Sequence, residues 1–406
     1  MIVTQNEHLH NVAERAGLLM EKERLDALVA VSCENFYYLS GYQSAFMYTL
    51  RMNEVALAVR FRDPNLKTVL LMNEFEAAGV PDELAAHCEI RTYPTWVDVD
   101  DPYGLRGGKY EGKRPVAPQA EEMFGMLGQV LAEYGISDGG KIAVELSAMR
   151  YPAVTALRRT AGAFDFVEAN PVFTELRAVK TPWEIEQLRK GCAFAETGIA
   201  ETVRAIGPGS SAAEIVNVFR RALMDHAEGH AARFHMISAG DRFAPVHRFD
   251  TSPSKPGDLV KFDVGVDVLG YGSDIARTFV FGSPSDTAKR VYDALRAGHD
   301  RLLQLIEPGM PMQAAFHEGM DVIRRTGLDN YNRGHLGHSA GLSLAAEEAP
   351  FISPSEAAVF VPGMVVCLET PYYGYGVGSI MIEDMVLVTG SGCERLNKLS
   401  RDLISL

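Results

Sequence analysis

The stretch DLVKFDVGVDVLGYGSDIARTF, residues 258–279, decides the fold of this chain. It contains two strand-like apolar runs, with Asp263 in LVKFDVG and Asp274 in GYGSDIARTF. A carboxylate inside such a run is costly to bury unless it is paired or binds a metal ion. The stretch therefore predicts a sheet whose acidic residues need a positive partner.

Three further segments each place one candidate ligand in an apolar or glycine-rich run: His338 in GHLGHSAG (334–341), Glu369 in PGMVVCLET (362–370) and Glu383 in SIMIEDMVLV (379–388). Four carboxylates gathered together would repel one another, and two divalent cations would cancel their charge. The set is rich in oxygen, with one imidazole and no thiolate. This chemistry suits Mn, Co, Fe or Zn at a hydrolytic two-metal site.

The composition excludes some classes of protein. The 406 residues, 47% hydrophobic and 23% charged, are typical of a globular protein and favour two domains. A net charge of -14 argues against binding to nucleic acid or to an anionic membrane. Five cysteines without a CxxC pair predict free thiols in a reducing compartment. The start is unlike a signal peptide and no apolar run is long enough to span a membrane, so we expect a cytoplasmic protein.

The order of the segments predicts an α/β domain followed by a second domain. Before residue 172 we expect helices near 8–25 and 150–160, strands near 27–31, 54–59, 67–72 and 141–146, and a long loop over 98–119. Thr181-Pro182-Trp183-Glu184 combines a threonine cap, a proline at the first helical position and a glutamate three residues after the cap. It predicts a helix that runs to about Ile206. We therefore expect domains over 1–172 and 173–406.

The second domain contains an internal echo. Ile206-Gly207-Pro208-Gly209 precedes a helix that starts at Ser211, and Ile306-Glu307-Pro308-Gly309 precedes another helix near 312–325. Turns that contain Pro-Gly are common before helices, so a single echo can arise by chance. The echo also fits a domain of two related halves, whose helices flank a sheet that carries the acidic residues.

On these residues the sequence resembles the pita-bread metallohydrolases, a family that includes methionine aminopeptidase, aminopeptidase P, prolidase and creatinase. The resemblance extends over nearly the whole chain, and the motifs lie in its second half. It implies an α+β architecture, with a C-terminal pita-bread (creatinase/aminopeptidase) domain preceded by a smaller α/β creatinase-like N-terminal domain. It also implies a homodimer, because the longer members usually pair through the N-terminal domain.

The resemblance assigns a role to each candidate ligand. Asp263 is expected to bind one of two divalent metal ions, and His338 and Glu369 the other. Asp274 and Glu383 are expected to bridge the two ions. Glu369 is also expected to move a proton to the leaving nitrogen during hydrolysis of a C–N bond.

Four other residues are candidates for contact with the substrate, and each has a plainer interpretation. His247 matches a substrate-contacting position and would stabilise the oxyanion, although a loop histidine satisfied by solvent is the alternative. Arg51 resembles a creatinase arginine that holds the substrate carboxylate across the subunit interface, or it simply pairs with a nearby acid. His335 is a pocket wall, a second-layer group or the metal ligand itself. Tyr271 packs beside a bridging carboxylate or bonds to it.

Some positions depart from the family pattern. Ala345 stands where the peptidases usually have a second histidine, Met381 replaces an arginine two residues before the last glutamate, and 343–351 lacks the usual HExP-like segment. We expect an Xaa-Pro peptidase. The alternative keeps the fold and metals but acts on a small non-peptide compound, as creatinase, ectoine hydrolase and dimethylsulfoniopropionate lyase do. A binding module without catalysis and a metal-free enzyme of the creatinase type are remoter alternatives.

Overall fold

The structure is a computed structural model that describes residues 4–97, 103, 112–242, 246, 249–343 and 347–406. Two residues discussed above, His247 and Ala345, and part of the loop expected over 98–119 lie outside these ranges. The chain divides into two compact units, Met1–Arg177 and Ala178–Leu406. The domain change that we expected near residue 172 falls inside the helix Asn170–Ala178.

The first unit contains helices and a mixed sheet. Its helices are α1 (Gln5–Glu23), α2 (Cys33–Ser40), α3 (Ala45–Tyr48), α4 (Glu74–Ala77), α5 (Asp82–His87), α6 (Ala120–Glu133), α7 (Tyr151–Thr160) and α8 (Asn170–Ala178). Its strands are β1 (Ala27–Ala30), β2 (Ala56–Phe61), β3 (Thr68–Asn73), β4 (Cys88–Tyr93), β5 (Lys141–Val144) and β6 (Asp165–Glu168). In the described residues these six strands form one sheet in the order β4-β3-β2-β1-β5-β6.

The expected elements of the first unit are confirmed, with ends that differ by a few residues. Strands β1, β2 and β3 are buried at every position, a pattern typical of a sheet covered on both faces. Helix α1 begins earlier than we expected, because Thr4 and Glu7 form a capping box that satisfies the free N–H groups of its first turn. It ends at Glu23, where Arg24 adopts a left-handed conformation.

In the described part of the second unit, four long helices accompany a large sheet. The helices are α9 (Pro182–Ala205), α10 (Ala212–His226), α11 (Asp286–Leu305) and α12 (Met312–Arg325). The strands are β7 (Ala232–His235), β8 (Ser238–Ala239), β9 (Leu259–Val268), β10 (Tyr271–Gly272), β11 (Ile275–Val280), β12 (Gly337–Ser339), β13 (Glu348–Phe351), β14 (Val365–Glu369), β15 (Tyr372–Gly374), β16 (Gly378–Ile380), β17 (Glu383–Val388), β18 (Cys393–Arg395) and β19 (Ile404–Ser405). Among the described residues the main sheet has the order β10-β9-β11-β17-β14-β12-β13.

The capping box predicted at the start of the second unit is confirmed. The Thr181 N–H donates to Glu184 Oε2 at 2.7 Å, and the Glu184 N–H donates back to Thr181 Oγ1 at 3.4 Å. Helix α9 follows and ends at Ala205, one residue before the predicted end. In the described part of the chain, no helix is both long and apolar enough to cross a bilayer.

The internal echo corresponds to two equivalent turns. Gly209 and Gly309 both have positive φ, 101° and 86°. The Gly209 N–H donates to the Ser254 carbonyl, and the Gly309 N–H donates to the Phe360 carbonyl, both at 2.9 Å. Each turn leads into the second helix of an antiparallel pair, α10 after α9 and α12 after α11. The echo in the sequence therefore corresponds to two similar turns between helices, which fits a domain of two related halves.

Candidate active site

The pairing of the central strands aligns three of the candidate ligands across the sheet. On one side of β11, Asp263 of β9 lies opposite Ala276. On the other side, Glu383 of β17 lies opposite the same Ala276, and Glu369 of β14 lies opposite Glu383. Directly opposed residues project from the same face of a sheet. The three carboxylates therefore share one face.

The alternation of side chains brings the other two ligands to that face. Asp274 is two residues before Ala276, directly before β11 begins. His338 of β12 lies opposite Cys367, which is two residues before Glu369 on β14. Because side chains two positions apart along a strand point the same way, Asp274, His338 and Cys367 join the carboxylates. The sheet thus gathers all five candidate ligands although they are distant in sequence.

The centre of the site is a group of four side chains. The ligand atoms of Asp274, His338, Cys367 and Glu383 all lie within 4.8 Å of one another. His338 Nε2 is 3.7 Å from Glu383 Oε1 and 3.9 Å from Asp274 Oδ2. His338 Nδ1 lies 2.9 Å from the Ser339 carbonyl, which fixes the proton on Nδ1. The lone pair of Nε2 is therefore directed at the carboxylates.

These residues fit a divalent metal ion. Asp263, Asp274, Glu369 and Glu383 are each between 1% and 5% exposed. Within the described residues, Asp274 Oδ1 and both carboxylate oxygens of Glu383 are buried without a hydrogen-bond partner. Burial and neighbouring carboxylates raise the pKa of Asp274 and of Glu383 well above the usual range. Buried acceptors that lack donors and repel one another require a cation, and oxygen with imidazole is a suitable ligand set.

Two further side chains at the site were not identified from the sequence. The Cys367 thiol lies among the ligands, and burial raises the pKa of this thiol well above its usual value. Lys261 is fully buried, with Nζ 3.0 Å from Asp263 Oδ2 and 5.8 Å from the centre of the Tyr373 ring. Each lies two residues before a ligand on the same strand, and this spacing was the signal that could have revealed both.

Glu369 is held by two basic side chains. Arg333 Nη2 lies 3.0 Å from Glu369 Oε1, and His335 Nδ1 lies 3.1 Å from the same oxygen. His335 Nε2 is 3.5 Å from Glu347 Oε2, so the imidazole lies between two carboxylates. Burial raises the pKa of Glu369 to about 7, even though Arg333 acts to lower it. A carboxyl group with this pKa can gain and lose a proton near neutral pH.

A buried network of charged and polar side chains holds the backbone at Glu383 and the neighbouring Asp384 side chain. Arg277 Nη1 donates to the Glu383 carbonyl at 2.7 Å, and its Nη2 donates to Asp384 Oδ1 at 2.5 Å. Asn397 Nδ2 also donates to Asp384 Oδ1, at 2.6 Å. Burial would raise the pKa of Asp384, but Arg277 and the other donors outweigh burial and lower this pKa to about 2. The start of β17, and with it Glu383, is therefore fixed in place.

The remaining predicted residues differ in what the structure says of them. Tyr271 is buried, and its ring packs edge-on against Trp183 with centroids 5.4 Å apart. Arg51 belongs to the first unit, where its guanidinium carbon lies 5.6 Å from the centre of the Tyr48 ring. His247 lies outside the described residues. The substrate roles of these three residues stay predictions.

Comparison with known proteins identifies the family. The sequence matches the profile of metallopeptidase family M24 over residues 186–390 and that of the creatinase/prolidase N-terminal domain over residues 13–179. The chain belongs to metallopeptidase family M24. The predicted fold class, a pita-bread domain preceded by a creatinase-like N-terminal domain, is confirmed. The prediction of a metal-dependent hydrolase is also confirmed, and membership of the family implies that this chain binds divalent metal.

Relatives of this M24 member include dipeptidases. An Xaa-Pro dipeptidase from Pyrococcus furiosus is 29% identical over 257 residues, which are 63% of this chain and 73% of that one. A probable dipeptidase, PepE, from Mycobacterium tuberculosis is 29% identical over 338 residues, 82% of each chain. The structure of an Xaa-Pro dipeptidase from Bacillus anthracis superposes with a TM-score of 0.79 at 22% identity, covering 98% of this chain and 100% of that one.

Proposed function

We propose that this protein is a dinuclear metallopeptidase that cleaves Xaa-Pro peptides. One observation carries the proposal: four buried carboxylates and one imidazole share a sheet face in a chain of family M24. The preference for proline rests on the relatives named Xaa-Pro dipeptidase. The alternative, a small non-peptide substrate, draws on Ala345 and Met381.

The proposed ligands divide between two metal positions. Asp263 would hold one ion, His338 and Glu369 would hold the other, and Asp274 and Glu383 would contribute to both. Mn, Co, Fe or Zn suits this oxygen-rich set. When bound, the divalent ions would supply a Lewis acid for the scissile carbonyl and would lower the pKa of water at the site.

Glu369 carries the proton in this proposal. The water oxygen forms a bond to the carbonyl carbon while one of its protons passes to Glu369. The C–N bond then breaks, and Glu369 returns the proton to the leaving nitrogen. His247 stabilises the oxyanion.

We further propose a cytoplasmic homodimer, in which Arg51 acts across the subunit interface. The support is the resemblance to the longer pita-bread enzymes, which pair through their N-terminal domains. The creatinase-like N-terminal domain of this chain is the matching part. Sedimentation of the purified protein tests the dimer.

The first experiment is a hydrolysis assay with the purified protein and Mn. The panel contains Xaa-Pro dipeptides and tripeptides, creatine, ectoine and dimethylsulfoniopropionate, with products identified by mass. Asp263→Asn serves as the inactive variant. Asp293→Asn is the matched control, because Asp293 lies on α11 and pairs with Lys289 at the surface.

Release of free proline or of a Pro-peptide by the wild-type protein and by Asp293→Asn, but not by Asp263→Asn, supports the proposal. Turnover of one of the small compounds without any peptide cleavage would replace it with the alternative substrate class. A protein that binds no divalent ion and cleaves nothing would refute both.

A further inference from the structure

The Cys367 thiol lies among the metal ligands, although the proposed function gives it no task. Cys367 is on β14, two residues before Glu369, and it is fully buried. Its sulfur and the ligand atoms of Asp274, His338 and Glu383 all lie within 4.8 Å of one another. Four such atoms share a centre that is at most about 2.9 Å from each, whereas zinc bonds nitrogen or oxygen at about 2.0–2.2 Å and thiolate sulfur at about 2.3 Å. Shifts of less than about 1 Å therefore bring all four side chains to one ion.

The contacts of this sulfur leave its lone pairs open to a cation. Cys367 Sγ lies 3.8 Å from the Asp274 carbonyl, to which the thiol donates a weak hydrogen bond. On the neighbouring strands, Cys367 lies directly opposite His338 of β12 and Met385 of β17. Directly opposed side chains are adjacent on one face of a sheet, so the thiol and the imidazole can reach the same ion.

The neighbouring oxygens indicate that this group needs a cation. Among the described residues, Asp274 Oδ1 and both carboxylate oxygens of Glu383 are buried without a hydrogen-bond partner. The Nε2 lone pair of His338 is directed at these carboxylates, because its Nδ1 is held by the Ser339 carbonyl at 2.9 Å. An ion that satisfies these acceptors lies within reach of the sulfur as well.

Sulfur makes the two proposed metal positions chemically different. The position at Asp263 offers oxygen alone, from Asp263 itself and from the shared Asp274 and Glu383. The position at His338 offers oxygen, nitrogen and, with Cys367, sulfur. Thiolate and imidazole suit Zn, whereas carboxylate and water suit Mn, and Co binds nitrogen and sulfur more tightly than Mn does. The position at His338 should therefore distinguish Zn and Co from Mn.

We infer that Cys367 is a ligand of the metal ion at the His338 position, bound as a thiolate when that ion is Zn or Co. The metal–sulfur bond then replaces the S–H bond, and the proton passes to solvent. Mn leaves the residue as a thiol. The inference rests on the metal site of the proposed function, and it adds a sulfur ligand that makes this site discriminate between divalent ions.

The test is the electronic spectrum of the full chain loaded with Co. A bond between Co and a thiolate gives an intense charge-transfer band in the near ultraviolet, which Co bound to oxygen and nitrogen alone lacks. The wild type is expected to show this band at the intensity of one thiolate per chain. Cys367→Ser and Cys367→Ala should bind Co without the band, with affinity for Co lower by about tenfold or more and affinity for Mn unchanged within about twofold.

The control is Cys192→Ser, which should keep the band. Cys192 is also a fully buried cysteine of the second unit, and its thiol contacts Met385 Sδ at 3.4 Å, outside the ligand group. A second measurement needs no variant, so it stands even where a substitution prevents folding. X-ray absorption of the wild type loaded with Zn should show sulfur at about 2.3 Å from the metal.

The outcomes separate the inference from the proposed function. A wild-type protein that binds metal but shows neither the Co band nor sulfur next to Zn overturns the role of Cys367 and leaves the metallopeptidase in place. A band that survives in both Cys367 variants overturns it as well. A wild-type protein that binds neither Co nor Mn overturns the metal site of the proposed function itself. A band present in the wild type and in Cys192→Ser, but absent from both Cys367 variants, establishes the thiolate ligand.

Discussion

Binding of metal to this site is predicted to release protons. In the absence of metal, burial and mutual repulsion raise the pKa values of Asp274 and Glu383 well above the usual range, and burial raises that of Glu369 to about 7. The raised pKa values favour the protonated forms of the first two groups, and the third is about half protonated at pH 7. A metal ion requires all three as carboxylates. Filling the site should therefore release protons.

The sign of the pH dependence follows from these raised pKa values. Metal affinity should increase as the pH rises towards about 7, tenfold per pH unit for each proton released. We would strip the protein with a chelator, add Mn in weakly buffered solution at pH 7 and count the protons by titration. Glu383→Gln should release about one proton fewer than the wild type. Release of no protons, with Mn bound, would refute this account of the empty site.

Three other predictions concern single residues. Gly337 has φ 155°, and a Cβ there would lie 2.2 Å from the Cys367 carbonyl. Gly337→Ala should therefore lower the midpoint of thermal unfolding and weaken Mn binding about tenfold or more. Gly334→Ala is the control, because a Cβ at that position meets no atom within 4 Å. Burial lowers the pKa of His299 from 6.5 to about 4. Protonation of this histidine therefore does not destabilise the folded state above pH 6.5, but it lowers the free energy of unfolding by about 3 kcal/mol at pH 4. The free energy of unfolding, measured by urea denaturation, should fall less over this interval in His299→Gln than in the wild type. Cys367→Ser should keep its affinity for Mn but lose about tenfold for Cd, because a thiol favours soft metals; equal losses for the two metals would contradict this.

The sequence identified the candidate ligands that the structure brings to one sheet face, because their local signals are strong. Asp263, Asp274 and Glu383 interrupt or adjoin apolar strands, where burial of a carboxylate without a positive partner costs much free energy. The capping box at Thr181 and the two Pro-Gly turns depend on short-range hydrogen bonds, which a sequence pattern captures well. These parts of the fold were therefore predicted within a few residues.

The sequence did not reveal the groups that surround the ligands. Lys261 and Cys367 share a strand face with a ligand, but a lysine or cysteine in an apolar run is ambiguous until the pairing of strands is known. Arg333 is 36 residues from Glu369, and no local pattern connects a loop residue with the end of a distant strand. Such contacts depend on tertiary packing, which periodicity does not describe.

The two cations beside the ligands have different tasks because they differ in exposure. With four carboxylates ionised, Lys261 and Arg333 together still leave the empty site short of positive charge. Protons supply the missing charge until metal replaces them, as the raised pKa values indicate. Lys261 is fully buried, so its charge is permanent and part of the fold. Arg333 is 25% exposed and lines a cleft formed by residues 327–333 and 371–373, so its charge is held at the edge of the site and is screened by water.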